Sequence, residues 1–249
     1  MRILIVGGTR FVGRHITEAV LAAGHDVTVL HRGTTGADLF PQATHLLADR
    51  NEDLGALRGM RWDATIDVSA YRPRQVDALA DVLDGGAGHY VYVSTVSVYA
   101  TPARPQYGED SPLLRLPDGP IPDEVTLETY GPLKALCEER AAARFGPGIL
   151  IVRPTYVVGP GDHTGRFTYW ARRLARGGTV LAPGHADRPI QVIDARDQAD
   201  FVVGALAGGL SGTFNTVCRS MPFGQLLDRI AAAVAPAGTT LTWVDPDFL

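Results

Sequence analysis

The stretch that decides the fold opens the chain and reads Ile3-Leu4-Ile5-Val6-Gly7-Gly8-Thr9-Arg10-Phe11-Val12-Gly13. Its apolar, mostly β-branched start predicts a buried strand over Arg2–Val6. The glycines that follow predict a tight turn whose backbone amides can approach a phosphate, and the apolar pattern over Phe11–Ala23 predicts the next helix. This order is the context that a dinucleotide-binding fingerprint requires, although an ordinary strand-turn-helix unit has the same outline.

Strand and helix patterns alternate from this start to residue 153. The predicted strands are Arg2–Val6, Asp26–Leu30, His45–Leu47, Ala64–Val68, Tyr90–Ser94 and Ile149–Arg153. The predicted helices are Phe11–Ala23, Asn51–Leu57, Arg74–Leu83 and Leu127–Arg144. Buried β-branched strands that alternate with helices predict an α/β fold, a doubly wound parallel sheet of the Rossmann type.

Beyond residue 154 the elements become smaller and richer in glycine and proline. Helices are predicted over Thr164–Arg176, Asp197–Leu206 and Phe223–Val234, with a strand over Ile190–Ile193. We therefore predict a dinucleotide-binding Rossmann domain over residues 1–160 and a small C-terminal substrate lobe over residues 161–249, interleaved with the last sheet elements. Thr101–Asp123 contains six prolines, so it is predicted to be an irregular loop that borders the site.

Composition limits the classes of partner. The 249 residues carry a formal net charge of −4 with scattered basic residues, which argues against nucleic acid. Cys137 and Cys218 are too few for a disulfide framework and fit a reducing cytosol. No apolar run approaches the ~20 residues of a membrane span, and no histidine has the spacing of a metal site. The sequence thus predicts a cytoplasmic protein that neither spans a membrane nor binds nucleic acid or a metal ion.

The end of the second predicted strand bears on which cofactor is bound. NAD-preferring sites usually place an acidic residue there for the ribose 2′-hydroxyl, whereas this chain has His31 and Arg32. Arg32, together with Arg10, can bind a 2′-phosphate, so NADP(H) is favoured over NAD(H); a solvated turn arginine is the alternative. Asp49 suits the adenine amino group. The candidate cofactor contacts are Gly7, Gly8, Thr9, Arg10, Phe11, Val12, Gly13, His31, Arg32, Asp49, Arg50, Val68, Ser69, Ala70 and Ser94.

A tyrosine and a lysine form the candidate catalytic pair. Tyr130 and Lys134 stand four residues apart on a predicted helix and share one face. A phenol has a reference pKa of about 10, which a neighbouring ammonium and a positively charged nicotinamide ring would lower. A hydroxyl from Ser94 or Thr95, at a predicted strand end, can hold the substrate oxygen near the phenol. The same spacing also arises by chance as a surface pair, and the strand end is what favours catalysis.

At these residues the chain resembles the extended short-chain dehydrogenase/reductase family, in particular its NAD-dependent epimerase/dehydratase branch, over nearly its whole length. The resemblance implies Thr95, Tyr130 and Lys134 as the catalytic set, with Tyr130 and Lys134 also touching the cofactor. It implies that Pro154 lies beside the nicotinamide. Arg188 is similar to an arginine that binds the diphosphate of nucleotide sugars, and Thr95, Ser97 and Arg166 complete the expected substrate contacts.

The chain departs from the family pattern in places. Arg10 replaces a glycine, as in less typical relatives that include some with RNA-binding roles. Members usually continue through a longer lobe, so the chain is either naturally short or lacks a C-terminal segment. Val96-Ser97 stands where dehydratases place an acidic pair, which disfavours dehydration.

The resemblance implies hydride transfer between NADP(H) and a secondary alcohol or ketone, with Tyr130 as general acid or base. The outcome would be a net reduction or an epimerisation, on a nucleotide sugar or another small carbonyl substrate. A non-catalytic NADP(H)-sensing regulator or an RNA-associated binding protein is the alternative. Relatives often pair through the helix that bears the tyrosine, so a homodimer is also expected.

Overall fold

A computed structural model describes residues 1–100, 108–245 and 247 of the chain. Its main body is a seven-stranded parallel sheet in the order β11-β6-β5-β4-β1-β2-β3. The strands of this sheet are β1 (Arg2–Val6), β2 (Asp26–His31), β3 (Thr44–Leu47), β4 (Ala64–Asp67), β5 (His89–Val93), β6 (Leu150–Pro154) and β11 (Gly212–Thr216). The structure confirms the predicted doubly wound sheet.

Helices cover both faces of this sheet because its strands are apolar on both sides. The helices of the chain are α1 (Phe11–Ala22), α2 (Pro73–Leu83), α3 (Leu127–Phe145), α4 (Arg166–Ala175), α5 (Ala195–Ala207) and α6 (Phe223–Val234). Within β1, Leu4 packs in a core with α2 and α3, whereas Ile3 and Ile5 pack in a core with α1 and α5. Alternation of side chains along a strand produces this division.

The strand order places a crevice at the carboxyl end of β1. This strand lies between β2 on one side and β4 on the other, so the helices that follow β1 and β4 cover opposite faces of the sheet. Open α/β sheets bind their ligands outside the carboxyl ends of the strands at such a switch point. The topology therefore positions the candidate site beside Gly7 and the ends of β4 and β5.

The remaining strands build a smaller body that packs around Phe223, Leu227, Trp170 and Trp243. These strands are β7 (Tyr156–Val158), β8 (Thr179–Pro183), β9 (Pro189–Ile190), β10 (Val192–Asp194), β12 (Met221–Pro222) and β13 (Thr240–Val244). Helix α5 and strand β11 lie between these strands along the chain but pack with the main sheet. The division into two domains near residue 160 stays a prediction. None of the described helices is long and apolar enough to cross a membrane.

Two predicted elements are wrong. Asn51–Leu57 is not an α-helix and forms only a 3₁₀ turn over Gly55–Leu57. The carboxylates of Asp49 and Asp53 accept hydrogen bonds from backbone amides two residues further on, and such local bonds compete with a helix. The strand predicted over Ile190–Ile193 is split, because β9 pairs with β12 whereas β10 pairs with β7.

Only part of the predicted loop Thr101–Asp123 is described. Residues 101–107 lie outside the described residues; residues 108–123 contain no helix and a single bridge, from Leu113 to Tyr99.

Helices α2 and α3 are linked to each other by an ion pair, in which Asp77 lies 3.2 Å from Arg144. The homodimer through α3 stays a prediction.

Candidate active site

A cavity of about 810 Å³ opens at the crevice, within the ~300–1,000 Å³ range of small-molecule sites. It runs from the end of β2, past the glycine turn, to the ends of β5 and β6. Most predicted site residues line it: Gly7, Thr9, Arg10, Phe11, Val12, Gly13, His31, Arg32, Asp49, Arg50, Val68, Ser69, Ser94, Thr95, Ser97, Tyr130, Lys134, Pro154 and Arg166. Gly8, Ala70 and Arg188 are not part of the lining.

The turn after β1 is open to a ligand because its glycines have no side chains. Gly7 has a φ of +89°, and a Cβ there would lie 2.7 Å from the Cβ of Ser69. Gly8 is buried beneath the turn, where its carbonyl accepts a hydrogen bond from Thr17 Oγ1 at 2.9 Å. In the described part of the chain Arg10 provides no side-chain cap for the first turn of α1. The free amides and the positive end of the helix dipole therefore fit a phosphate.

The end of the cavity beside β2 carries the residues from which the sequence predicts NADP(H). Arg32 has a 63% exposed side chain, and its Nη1 lies 3.9 Å from Asp49 Oδ2. His31 Nδ1 accepts the Gly33 amide at 3.1 Å, and His31 Nε2 lies 2.8 Å from Nδ1 of His45. Burial, and secondarily His45, lower the pKa of His31 and so favour its neutral form. The turn that holds Arg32 is thus tied to the sheet through two imidazoles.

Arg50 lines the cavity, as predicted, but most of its guanidinium is engaged within the chain; its contact with the cofactor stays a prediction. Its guanidinium forms a buried ion pair with Asp67, with Nη1–Oδ1 at 2.5 Å and Nη2–Oδ2 at 2.9 Å. It also donates to Ser69 Oγ at 3.0 Å and to the carbonyl of Gln75 at 3.0 Å. Burial would raise the pKa of Asp67, but the charge and hydrogen bonds of Arg50 lower it overall. Arg50 therefore supports the floor of the cavity, and Asp67 was missed because it reads as a strand residue.

Tyr130 and Thr95 lie together, although they come from different elements. Thr95 follows β5, donates to Ser97 Oγ at 3.2 Å and accepts from the Ser97 amide at 3.1 Å. Burial, followed by Tyr71, raises the pKa of Tyr130, whereas a hydrogen bond with Thr95 and the charge of Arg166 lower it. The hydroxyl of Thr95, which Ser97 holds in place, thus stands beside the phenol, as an acid or base acting on a bound oxygen requires.

Lys134 is buried and binds two backbone carbonyls, which its spacing from Tyr130 does not predict. Its Nζ donates to the carbonyls of Ala70 at 3.0 Å and Val93 at 2.7 Å, and it lies 4.1 Å from the ring centroid of Tyr92. Burial lowers the pKa of this ammonium to about 8. One of the three N–H groups of the ammonium is left for a ligand.

A second buried ion pair supports the catalytic strand end. Glu138, one turn beyond Lys134, bonds Arg153 Nε at 3.0 Å and accepts the hydroxyl of Ser94 at 2.5 Å. Arg153 stands next to Pro154, which lines the cavity, and Ser94 stands next to Thr95. Sequence reasoning missed Glu138, although the spacing of four residues from Tyr130 to Lys134 continues to it.

The far end of the cavity is formed by the loop before α4. The Arg166 guanidinium lies 4.6 Å from the ring of Tyr156, and its Nε donates to Thr164 Oγ1 at 3.1 Å. Arg188 is exposed and lies 5.1 Å from the ring of Phe223 in the smaller body. The structure thus brings Arg166 to the cavity and leaves Arg188 outside it.

The cavity is positively charged in a chain of net charge −4. Its cationic lining residues are Arg10, Arg32, Arg50, Arg72, Arg166 and Lys134. Among the described lining residues Asp49 is the single carboxylate. A concave surface of one sign concentrates ligands of the other sign, so this cavity favours anions.

Comparison with known proteins gives a family match and two curated relatives. The sequence matches the NAD dependent epimerase/dehydratase family over residues 3–51 and 74–216. The chloroplast stem-loop binding protein of 41 kDa b from Arabidopsis thaliana is 25% identical over 215 residues, 80% of this chain and 53% of that protein. The bifunctional pinoresinol-lariciresinol reductase of Forsythia intermedia is 34% identical over 65 residues, 22% of this chain and 21% of that protein. The chain thus spans about half or less of these relatives.

Solved structures share the fold. UDP-N-acetylglucosamine 4-epimerase from Bacillus cereus aligns with a TM-score of 0.78 and 21% identity, over 98% of this chain and 85% of that one. The Bordetella bronchiseptica enzyme WbmG, solved with NAD and UDP, aligns with a TM-score of 0.79 and 20% identity, over 99% of this chain and 82% of that one.

Proposed function

Because the chain belongs to the NAD dependent epimerase/dehydratase family, we propose that it is an NADP(H)-dependent oxidoreductase acting on a secondary alcohol or ketone. The observation that carries the proposal is the meeting of Thr95, Tyr130 and Lys134 in one cavity with a glycine cradle. A surface pair of tyrosine and lysine would not be buried beside a strand-end hydroxyl.

The chain's own residues divide the work of holding the cofactor. The turn from Gly7 to Gly13 and the first amides of α1 would bind the pyrophosphate. Arg32 and Arg10 would bind the 2′-phosphate, since arginine suits phosphate as a bidentate donor. The remaining N–H of Lys134 would bind the nicotinamide ribose. A cofactor bound in this way would accept or donate the hydride.

Tyr130 would move the proton. In the oxidation direction the substrate carbon loses a hydride and its hydroxyl passes the proton to the phenolate of Tyr130; in the reduction direction the phenol returns that proton to the oxygen. Thr95 orients the oxygen and lowers the pKa of the phenol against the opposing effect of burial. Ser97 holds Thr95 in place through two hydrogen bonds.

Arg166 favours a substrate with an anionic group. No carboxylate of the described residues pairs with it, and its charge reaches Tyr130. A nucleotide sugar carries such a group, as do carbonyl compounds with a carboxylate or phosphate. Because Val96 and Ser97 supply no carboxylate, we favour reduction or epimerisation over dehydration.

A binding and turnover experiment tests the proposal. Purified protein is titrated with NADPH and with NADH, and then incubated with NADPH and a panel of ketones and nucleotide sugars. Tyr130→Phe is expected to keep NADPH affinity and to lose turnover by about 10²–10⁴-fold, the usual contribution of a general acid or base. Tyr169→Phe, on the exposed side of α4, is the matched control. Full turnover by Tyr130→Phe would refute the assigned role of the phenol.

RNA binding is the second candidate, favoured by the name of the Arabidopsis thaliana relative. The cationic cavity would then hold a phosphate backbone, although the net charge of −4 opposes tight binding of a polyanion. Retention of an RNA stem-loop with an affinity that falls steeply with salt, and that NADPH competes away, would support this function.

A further inference from the structure

Tyr71 lines the cavity, and hydrogen bonds hold the backbone at Tyr71 and at the preceding Ala70 in place. It follows Ala70, whose carbonyl accepts both Lys134 Nζ at 3.0 Å and the hydroxyl of Tyr92 at 2.9 Å. The amide of Tyr71 itself donates to Gln75 Oε1 at 2.7 Å. A side chain that starts from so constrained a position is displayed in one place, as a binding residue requires.

The ring of Tyr71 lies near both members of the catalytic pair. Its centroid lies 5.5 Å from Lys134 Nζ and 6.2 Å from the ring of Tyr130, at an interplanar angle of 41°. The residue is 41% exposed, so a large aromatic surface faces the cavity without being used in packing. Partial burial raises the pKa of its phenol, and the charge of Arg10 acts in the opposite direction.

These neighbours belong to the two ends of one ligand. Arg10 is part of the glycine turn, where a pyrophosphate would bind, and Tyr130 stands where the nicotinamide would react. The group that joins a pyrophosphate to a nicotinamide ring is a ribose. We propose that Tyr71 contacts the nicotinamide ribose of the bound cofactor. Its ring would pack on the ribose beside the one N–H group of Lys134 that donates to neither carbonyl. This inference rests on the proposed nicotinamide cofactor.

Two ligands of different length test the contact. NADPH contains the nicotinamide ribose, whereas 2′,5′-ADP ends before it and occupies only the adenosine end. Tyr71→Leu is expected to weaken NADPH by about five- to tenfold, the size of one aromatic contact, with no change for 2′,5′-ADP. Tyr169→Leu is the matched control, because Tyr169 is 52% exposed and lies outside the cavity lining. It should leave both affinities unchanged.

Equal losses for both ligands, or no loss for NADPH, would overturn the contact. Thiol protection provides a second measurement: Tyr71→Cys is made with the exposed Cys218 replaced by Ser, while Cys137 is buried. NADPH is expected to slow alkylation of the new thiol, and 2′,5′-ADP is not; the same rate with both would overturn the contact. A wild-type protein that binds neither NADPH nor NADH refutes the proposed function as well, whereas unaltered binding by the Tyr71 variants refutes only this inference.

Discussion

Gly13 lies so close to Gly7 that a Cβ atom on Gly13 would stand 2.0 Å from the carbonyl oxygen of Gly7. The nearest atoms are backbone, including the Cα of Gly8 at 3.2 Å, so no side chain can rotate away to make room. The first turn of α1 and the phosphate cradle therefore share one constraint. A substitution that alters one must alter the other.

Gly13→Ala is expected to weaken NADPH binding by more than about tenfold and to lower the free energy of unfolding by about 1–3 kcal/mol, the usual cost of overpacking. Fluorescence titration and urea unfolding measure the two effects. Gly204→Ala, in α5 with nothing within 4 Å of the added Cβ, is the control and is expected to stabilise by up to about 1 kcal/mol. Wild-type NADPH affinity in Gly13→Ala would show that the turn does not hold phosphate.

Local pattern predicts the sheet and the glycine turn because both depend on neighbouring residues. Runs such as Ile3–Val6 are apolar on both faces, and only a sheet covered on both sides buries them. The helix predicted over Asn51–Leu57 is wrong for the opposite reason: its apolar spacing is real, but Asp49 and Asp53 bind backbone amides locally. A periodic pattern does not include that competition.

Contacts between distant residues set the site, and spacing does not predict them. Lys134 shares a helical face with Tyr130, yet its ammonium donates to the carbonyls of Ala70, in the loop after β4, and Val93, at the end of β5. The spacing that made Arg50 a candidate ligand contact does not reveal its ion pair with Asp67, seventeen residues further along the chain. Tyr71 has no motif of its own. Its place in the cavity depends on Gln75 and on the two bonds to Ala70.

Arg32 is expected to discriminate between the two nicotinamide cofactors. Its side chain is exposed at the end of the cavity beside β2, where the adenosine of the proposed cofactor would lie, and a charged hydrogen bond to phosphate contributes about 1.5–3 kcal/mol. Arg32→Ala should therefore weaken NADPH by about 10- to 100-fold and leave NADH nearly unchanged. Parallel titrations with both cofactors measure the ratio, and Arg188→Ala is the control outside the cavity. Equal losses for NADPH and NADH would contradict recognition of the 2′-phosphate.

Two variants should move the pKa of Tyr130 in opposite directions. Thr95→Val removes a hydrogen bond that lowers this pKa, so the acidic limb of the oxidation profile, where the phenolate becomes protonated, should move to higher pH. Tyr71→Phe removes a phenol that raises it, so the limb should move to lower pH. Thr95→Val should also reduce turnover by about 10²–10³-fold, since one donor to the reacting oxygen is lost. Shifts of the same sign would contradict the assigned base; the measurement is kcat/KM for alcohol oxidation against pH.

The buried ion pair of Arg50 and Asp67 is expected to stabilise the fold beneath the candidate cofactor site. Asp67→Asn leaves Arg50 buried without a counter-charge, which typically costs about 3–5 kcal/mol. The double variant Arg50→Met/Asp67→Leu is expected to recover part of this loss, because it removes the unpaired charge, although the hydroxyl of Tyr90 then loses its acceptor. Urea unfolding at neutral pH measures the three proteins. Asp123→Asn, which breaks an exposed pair with Arg74 at 3.3 Å, is the control and should cost less than about 1 kcal/mol.

The ion pair of Arg50 and Asp67 also determines how its contribution to the free energy of unfolding changes with pH. The pKa of Asp67 is lower in the folded chain than the ordinary value of 3.8, although burial alone would raise it. Its contribution is therefore fully present above the unfolded pKa and is lost as the pH falls through the folded one. Wild type should lose stability more steeply than the double variant as the pH falls below the ordinary aspartate pKa. Parallel acid profiles for the two proteins would show that Asp67 is not stabilised as a carboxylate by Arg50.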